Sequence, residues 1–321
     1  MASPPSAIMS RSGVPLKRPS LRSMLIAVGV YAAVATFLWR ALTGEWSTLL
    51  PFAGTYGATA VLVAASELWL RMIPRRRALP VPPGGRIGWI WIMAVVLLDG
   101  GFTIIFWRTL LPLARNTLAT TPTVLGSPML ASRLLNVAYG GAPITVLALA
   151  IFAIRWQGQW RTVWRLQWWD LGFALWLLGV AVGLGELGRV LDLSNVLPSP
   201  PLVFFGWVTP LVYGAQLLVN GLPEEILFRG ILLRELLGVL RNNLPLALWV
   251  SAVAFNVSHI PSWVIGGTSP LGRDPWWVMG LWCLFPSQPT GLFFGYVFFR
   301  SKSISSVIVF HTLNTFIGII P

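Results

Sequence analysis

Charge is what this chain has least of. Only 10% of its 321 residues are Asp, Glu, Lys or Arg, where a soluble domain carries about a quarter. With 55% hydrophobic residues and a mean hydropathy of +0.73, the composition excludes a water-soluble globule, a disordered chain and a fibre. Cysteine is nearly absent. Cys283 stands alone, which excludes an intrachain disulfide and a zinc site built from cysteines. Acid is scarce, with 10 Asp and Glu against 23 Lys and Arg. In a soluble protein that excess of base suggests nucleic acid; in so apolar a chain it reads as basic loops kept on the cytoplasmic side, so no nucleic-acid partner is expected. Three motifs are also missing. There is no Gly-rich phosphate loop between strand and helix, no G-x-S-x-G elbow and no H-E-x-x-H helix, which removes support for nucleotide binding, a serine hydrolase of that type and a zincin.

What is present is a series of apolar runs of roughly the 17–25 residues that cross a bilayer. The chain therefore reads as all-α, a polytopic membrane helix bundle of about eight or nine transmembrane helices. Many of its 18 Trp lie near the ends of these runs, where indole rings suit the membrane interface. Residues 1–22 hold Arg11, Lys17, Arg18 and Arg22 without an acid and read as a disordered basic cytoplasmic tail. Met24–Trp39 reads as a retained anchor, because no small-x-small cleavage site follows it. Within 23–200, further spans are expected at Leu49–Leu70, Ile87–Trp107, Leu134–Ile154 and Leu171–Leu187, followed by Leu202–Val219 at the start of a second membrane domain over 201–321. Basic loops after the second and fourth spans put the N-terminus in the cytoplasm of a plasma-membrane protein, although Arg108, Arg115 and Arg133 run against the alternation.

Beyond residue 220 the pattern changes. Residues 223–241 are apolar yet carry Glu224, Glu225, Arg229, Arg234, Glu235 and Arg241. Pro223 suits a first helical turn. Glu225 and Arg229 stand at i,i+4 with the acid first, the better orientation for an ion pair. Arg229 lies about 40° around the axis from Glu225 and about 140° from Glu224. Glu225 is thus the carboxylate that Arg229 neutralises, and Glu224 is left for a general base. Arg241-Asn242-Asn243-Leu244-Pro245 is a strong turn signal, and a helix over 246–259 then runs back. The midpoint between 224 and 259 falls inside that turn, so Glu224 and His259 are expected at one depth. Phe255, one turn before His259, packs on the same face.

The chain has two histidines, His259 and His311, both in apolar segments, where ionisable groups are costly and mark function. His311, Asn314 and Thr315 share a face of the last apolar run, Ile304–Ile320, and all three donate hydrogen bonds, as an oxyanion site requires. Asp99 is the one acid well inside another span, so an aspartate dyad lacks its second member. A base, two imidazoles and an amide in a water-poor pocket suit amide hydrolysis by an activated water.

Glu224-Glu225-x-x-x-Arg229, then Phe255-x-x-x-His259, then His311 resemble the three motifs of the CPBP family, which comprises type II CAAX prenyl endopeptidases and bacteriocin-processing relatives. The resemblance covers roughly residues 202–320. It implies an intramembrane endopeptidase in which Glu224 and His259 activate water, Glu225, Arg229 and Phe255 support them, and His311 with a polar residue one turn later holds the oxyanion. It implies as partners the membrane lipid and a peptide or protein substrate, lipidated in the prenyl-processing members. The family's third motif is His-x-x-x-Asn or Asp; here Thr315 stands at i+4 and Asn314 at i+3. Asn314 is the expected donor by its reach, with Thr315 supporting. No cofactor is expected; if zinc is used, Glu224, His259 and His311 make a three-ligand set with an open position. A catalytically silent scaffold of the same fold is the competing reading, favoured by Thr315. A transporter is the other, weakened by the lack of an internal repeat.

Overall fold

The computed structural model describes residues 49–72, 85–113, 137–156, 167–190, 214–266, 276–284 and 288–317, with residues 29, 30, 33, 34, 37, 82, 116 and 164 besides. The tail 1–22, most of the expected anchor Met24–Trp39, and residues 202–213 of the fifth later span lie outside the described residues. Among the described residues every regular element is a helix and none is a strand. In order they are α1 (Leu49–Met72), α2 (Arg86–Leu113), α3 (Val137–Arg155), α4 (Trp168–Val190) and α5 (214–239). Then come α6 (Leu244–Val257), α7 (Ile260–Gly266), α8 (Trp276–Leu284), α9 (Gln288–Ser301) and α10 (Ile304–Ile317).

Three stretches, Arg86–Leu113, Val137–Arg155 and Leu244–Ile265, are long and apolar enough to cross a membrane; Trp168–Leu184 and Ile304–Leu313 are shorter apolar helices. On α2, Ile87, Ile90, Met93 and Leu97 are all exposed. An apolar face of that extent is unfavourable in water and suits acyl chains.

Helix α5 has the opposite character. From Glu225 to Leu237 every residue is buried, and α2, α3, α6, α9 and α10 pack around it. A helix enclosed on all sides belongs at the centre of a bundle, but this one brings charges with it. Glu235 is held by Arg155 of α3, Nε to Oε1 at 2.6 Å, and the Arg234 guanidinium lies 3.3 Å over the Trp156 ring. Pairing and cation–π contact offset the desolvation of such groups.

The local geometry of α5 follows from its proline. Around 217–221 the helix widens by a residue per turn, and the Leu222 N–H reaches back to the Leu217 carbonyl. At that spacing the Leu218 carbonyl should receive the next N–H, but residue 223 is proline and has none. The Thr145 hydroxyl of α3 donates to it instead, at 2.8 Å. A second wide stretch, Ile226–Leu232, carries Arg229. Such turns concentrate at functional sites.

The chain reverses at residues 240–243. Arg241 and Asn242 have φ of 52° and 65°, the left-handed region that asparagine tolerates best among residues with a side chain. Asn243 caps α6 by accepting the Leu246 N–H at 3.3 Å. The expected helix 246–259 needs correction at its far end. Helix α6 stops at Val257, because Pro261 has no N–H for the Val257 carbonyl. Ser258 and His259 form the break, and α7 resumes with Trp263 N–H bonded to the His259 carbonyl at 3.1 Å.

Close approach and polar ties hold the bundle. A Cβ on Gly221 would fall 2.0 Å from the Thr312 hydroxyl of α10, and one on Gly291 of α9 would fall 2.9 Å from the Ala252 backbone of α6. Small residues let membrane helices approach this closely. Glu67 of α1 takes a two-pronged contact from Arg300 of α9, 2.5 and 2.6 Å, with Tyr296 on the same carboxylate. Ser306 of α10 bonds Asp170 of α4. The N-terminal helices are thus tied to the C-terminal third.

Candidate active site

The acidic pair lies between the two wide stretches of α5, just after Pro223. Glu225 is fully buried and Glu224 is 17% exposed. Arg229 Nη1 donates to Glu225 Oε1 at 3.0 Å, the pairing expected from the helical spacing. The Arg229 guanidinium is sandwiched, 4.3 Å from the Phe255 ring centroid and 5.2 Å from that of Phe294, and Nη2 reaches the Gly291 carbonyl at 3.4 Å.

His311 arrives from α10 on the same carboxylate. Its Nδ1 lies 2.7 Å from Glu225 Oε1, and its Nε2 lies 3.7 Å from Glu224 Oε2. The imidazole stacks on Phe294 with centroids 4.6 Å apart. A carboxylate accepts, so Nδ1 carries the proton. Glu225 is therefore the hub of a network linking α5 and α10 to the Arg229 cation, while its second oxygen has no hydrogen-bond partner among the described residues.

His259 comes from the other arm of the hairpin. Its Nδ1 is 2.8 Å from the Phe255 carbonyl. A carbonyl can only accept, so Nδ1 is the donor and Nε2 keeps the lone pair that could take up a proton. The Phe255 ring meets the imidazole edge-on at 5.0 Å, which fixes its plane. Glu224 and His259 line one cavity of about 230 Å³. The other polar walls are Asp99 and Thr103 of α2, Asn220 of α5, Ser258 at the break and Ser262 of α7; Phe102, Phe106, Trp107 and Ile144 make the apolar side. His311 lies behind the glutamate pair.

Asn314 and Thr315 stand on α10 by their backbone, and their side chains lie outside the described residues. The zinc set does not assemble: among the described residues no three His, Cys, Asp or Glu side chains converge so as to hold a metal ion. Two cavity groups escaped the sequence reading. Asp99 was legible as an acid in an apolar run, but nothing in the sequence pairs α2 with the hairpin. Asn220 gave no signal at all.

Residues 205–317 match the family described as type II CAAX prenyl endopeptidase Rce1-like. This part of the chain is similar to a CAAX-protease domain. No curated protein and no solved structure matches the chain. The Rce1-like domain begins within the 202–320 covered by the motif resemblance and contains Glu224, Glu225, Arg229, His259 and His311. Helices α2 and α3, which supply much of the cavity wall, lie outside it.

Proposed function

We propose that the protein is an intramembrane endopeptidase that hydrolyses a peptide bond in a membrane-associated substrate, with Glu224 and His259 activating a water. The observation that carries this reading is that these two residues, from opposite arms of a helical hairpin, open onto one cavity, while Glu225 is taken up by Arg229 and His311.

In this mechanism Glu224 takes a proton from water as the water oxygen bonds to the scissile carbonyl carbon. The carbonyl electron pair moves to its oxygen, and an amide donor holds the resulting oxyanion. The proton then passes to the leaving nitrogen as the C–N bond breaks. Neutral His259, with its lone pair on Nε2, shares that proton traffic. Asn314 on the last helix is the proposed donor, and Asn220 in the cavity wall is the alternative. No metal takes part in this scheme.

The similarity to type II CAAX prenyl endopeptidases points to a prenylated C-terminal tail as substrate class, and the apolar wall of Phe102, Phe106 and Trp107 suits a lipidated peptide. The proposed setting is the plasma membrane with the N-terminus in the cytoplasm. The test is the full chain in liposomes with a quenched-fluorescent peptide ending in a farnesylated CAAX tail. Cleavage by the native chain and none by Glu224→Gln supports the reading. A Glu224→Gln variant as active as the native chain overturns it. Mass spectrometry of proteins retained by Glu224→Gln in native membranes would identify other substrates. One observation favours a silent scaffold instead: Thr315 at the position where the resembling family has Asn or Asp.

A further inference from the structure

The acid least expected in this bundle is Asp99. It sits on α2 in Val-Val-Leu-Leu-Asp-Gly-Gly-Phe, outside the 113 residues of the Rce1-like match, 205–317. Its side chain is buried, 9% exposed. Among the described residues its interaction partners are His259 and Ser258, with the Glu224 carboxylate beside it as a like charge, and none is an arginine or lysine. A carboxylate at membrane depth without a basic counter-ion is expensive, and such a cost persists in a native fold where the group has a task.

The geometry brings Asp99 to the hairpin that carries Glu224 and His259. Helix α7 packs on α2, so the break at Ser258–His259 faces Asp99 across the cavity that Glu224 also lines. His259 already spends Nδ1 on the Phe255 carbonyl. When Nε2 takes up a proton, the ring becomes a cation, and the Arg229 guanidinium opposes it. A nearby anion offsets that repulsion. Glu224 cannot serve as this anion once it holds the proton drawn from water, and Glu225 is occupied by Arg229 and His311.

We propose that Asp99 is a positioning residue for His259: its carboxylate stabilises the imidazolium that forms during turnover, so the N-terminal helices complete the site of the Rce1-like domain. The proposal rests on the hydrolase reading above. Asp99 needs no contact with substrate, and its loss should be felt in turnover rather than in binding.

The experiment uses the full chain in liposomes and the farnesylated fluorogenic peptide. Asp99→Asn keeps shape and hydrogen-bonding capacity and removes the charge. It is expected to lower kcat by roughly a hundredfold, the scale of a lost acid–base contribution, with KM within about twofold. Asp99→Glu is expected to recover part of the rate. On a His259→Gln background Asp99→Asn should cost nothing further, because Asp99 acts through His259. Native kcat in Asp99→Asn, or the same loss on both backgrounds, overturns the proposal. A second readout needs no substrate. With only two histidines in the chain, 15N-histidine spectra resolve both, and Asp99→Asn should move the His259 signal and leave that of His311. An unmoved His259 signal overturns the proposal. Glu224→Gln run alongside separates the failures: activity there sinks the hydrolase reading, whereas an inert Glu224→Gln beside a fully active Asp99→Asn sinks only the role of Asp99.

Discussion

His311 Nδ1 donates to Glu225 Oε1 across 2.7 Å, joining residues 86 positions apart in the chain. The same oxygen accepts from Arg229. One buried carboxylate thus neutralises a guanidinium and orients an imidazole, and its neighbour Glu224 is left facing the cavity.

That division of labour separates the two glutamates in experiment. Glu225→Gln leaves Arg229 buried in an apolar sandwich without its anion and removes the anchor of His311. Breaking a buried pair from one side costs about 3–5 kcal/mol. Thermal unfolding in detergent should show a large fall in Tm for Glu225→Gln and little change for Glu224→Gln. Equal melting temperatures would mean that Glu225 is not the hub.

The common cavity of Glu224 and His259 is open to chemical measurement. Cysteines at 224 and 259 in a Cys283→Ser background should be joined within one chain by short bifunctional reagents in native membranes. A pair at 225 and 259 should react less, since Glu225 is buried toward α10. Absence of any 224–259 product would contradict the hairpin geometry.

Three amides and hydroxyls compete for the oxyanion, and substitution ranks them. Removing one oxyanion donor costs about a hundred- to a thousandfold in kcat. Asn314→Ala should show that loss and Thr315→Ala much less, because a helical Thr can spend its hydroxyl on its own i−4 carbonyl. If Asn220→Ala is the severe variant instead, the donor belongs to the cavity wall and not to the last helix. Thr315→Asn should preserve or raise the rate of an active protease; no activity in any of these, native chain included, favours the scaffold.

Metal dependence has a direct outcome. With Glu224 as base, strong chelators should leave cleavage unchanged, and the purified protein should carry far less than one equivalent of zinc. Stoichiometric zinc that leaves together with activity would recast Glu224, His259 and His311 as ligands drawn together on binding.

Periodic features were legible in advance. The runs at 49–70, 87–107, 134–154 and 171–187 each lie within helices α1 to α4, apart from residues 134–136, which lie outside the described residues, and of these helices α2 and α3 are long and apolar enough to cross a membrane. Apolar length and the absence of competing polar groups leave a membrane segment no other backbone solution. The Glu225–Arg229 contact was legible because i,i+4 neighbours meet on any helix, even one that widens around them. The turn after α5 followed from asparagine and proline, whose preferences are local.

Tertiary structure decided what depends on which helix stands beside which. Glu225 was expected to serve Arg229 alone; it also holds His311, because α10 approaches α5 closely where Gly221 leaves room for Thr312. Asp99 looked like an isolated acid until the break at Ser258–His259 set it opposite the hairpin. The sequence by itself determined a helical chain rich in apolar runs, the glutamate pair and histidine placed on the two arms of its C-terminal hairpin, and the family likeness of that third, since each of these is written in spacing along one helix or one turn. Which charges pair between helices, and that an N-terminal helix closes the cavity, only the packed bundle decided, because contacts between distant helices depend on shape complementarity summed over many side chains and leave no period in the sequence.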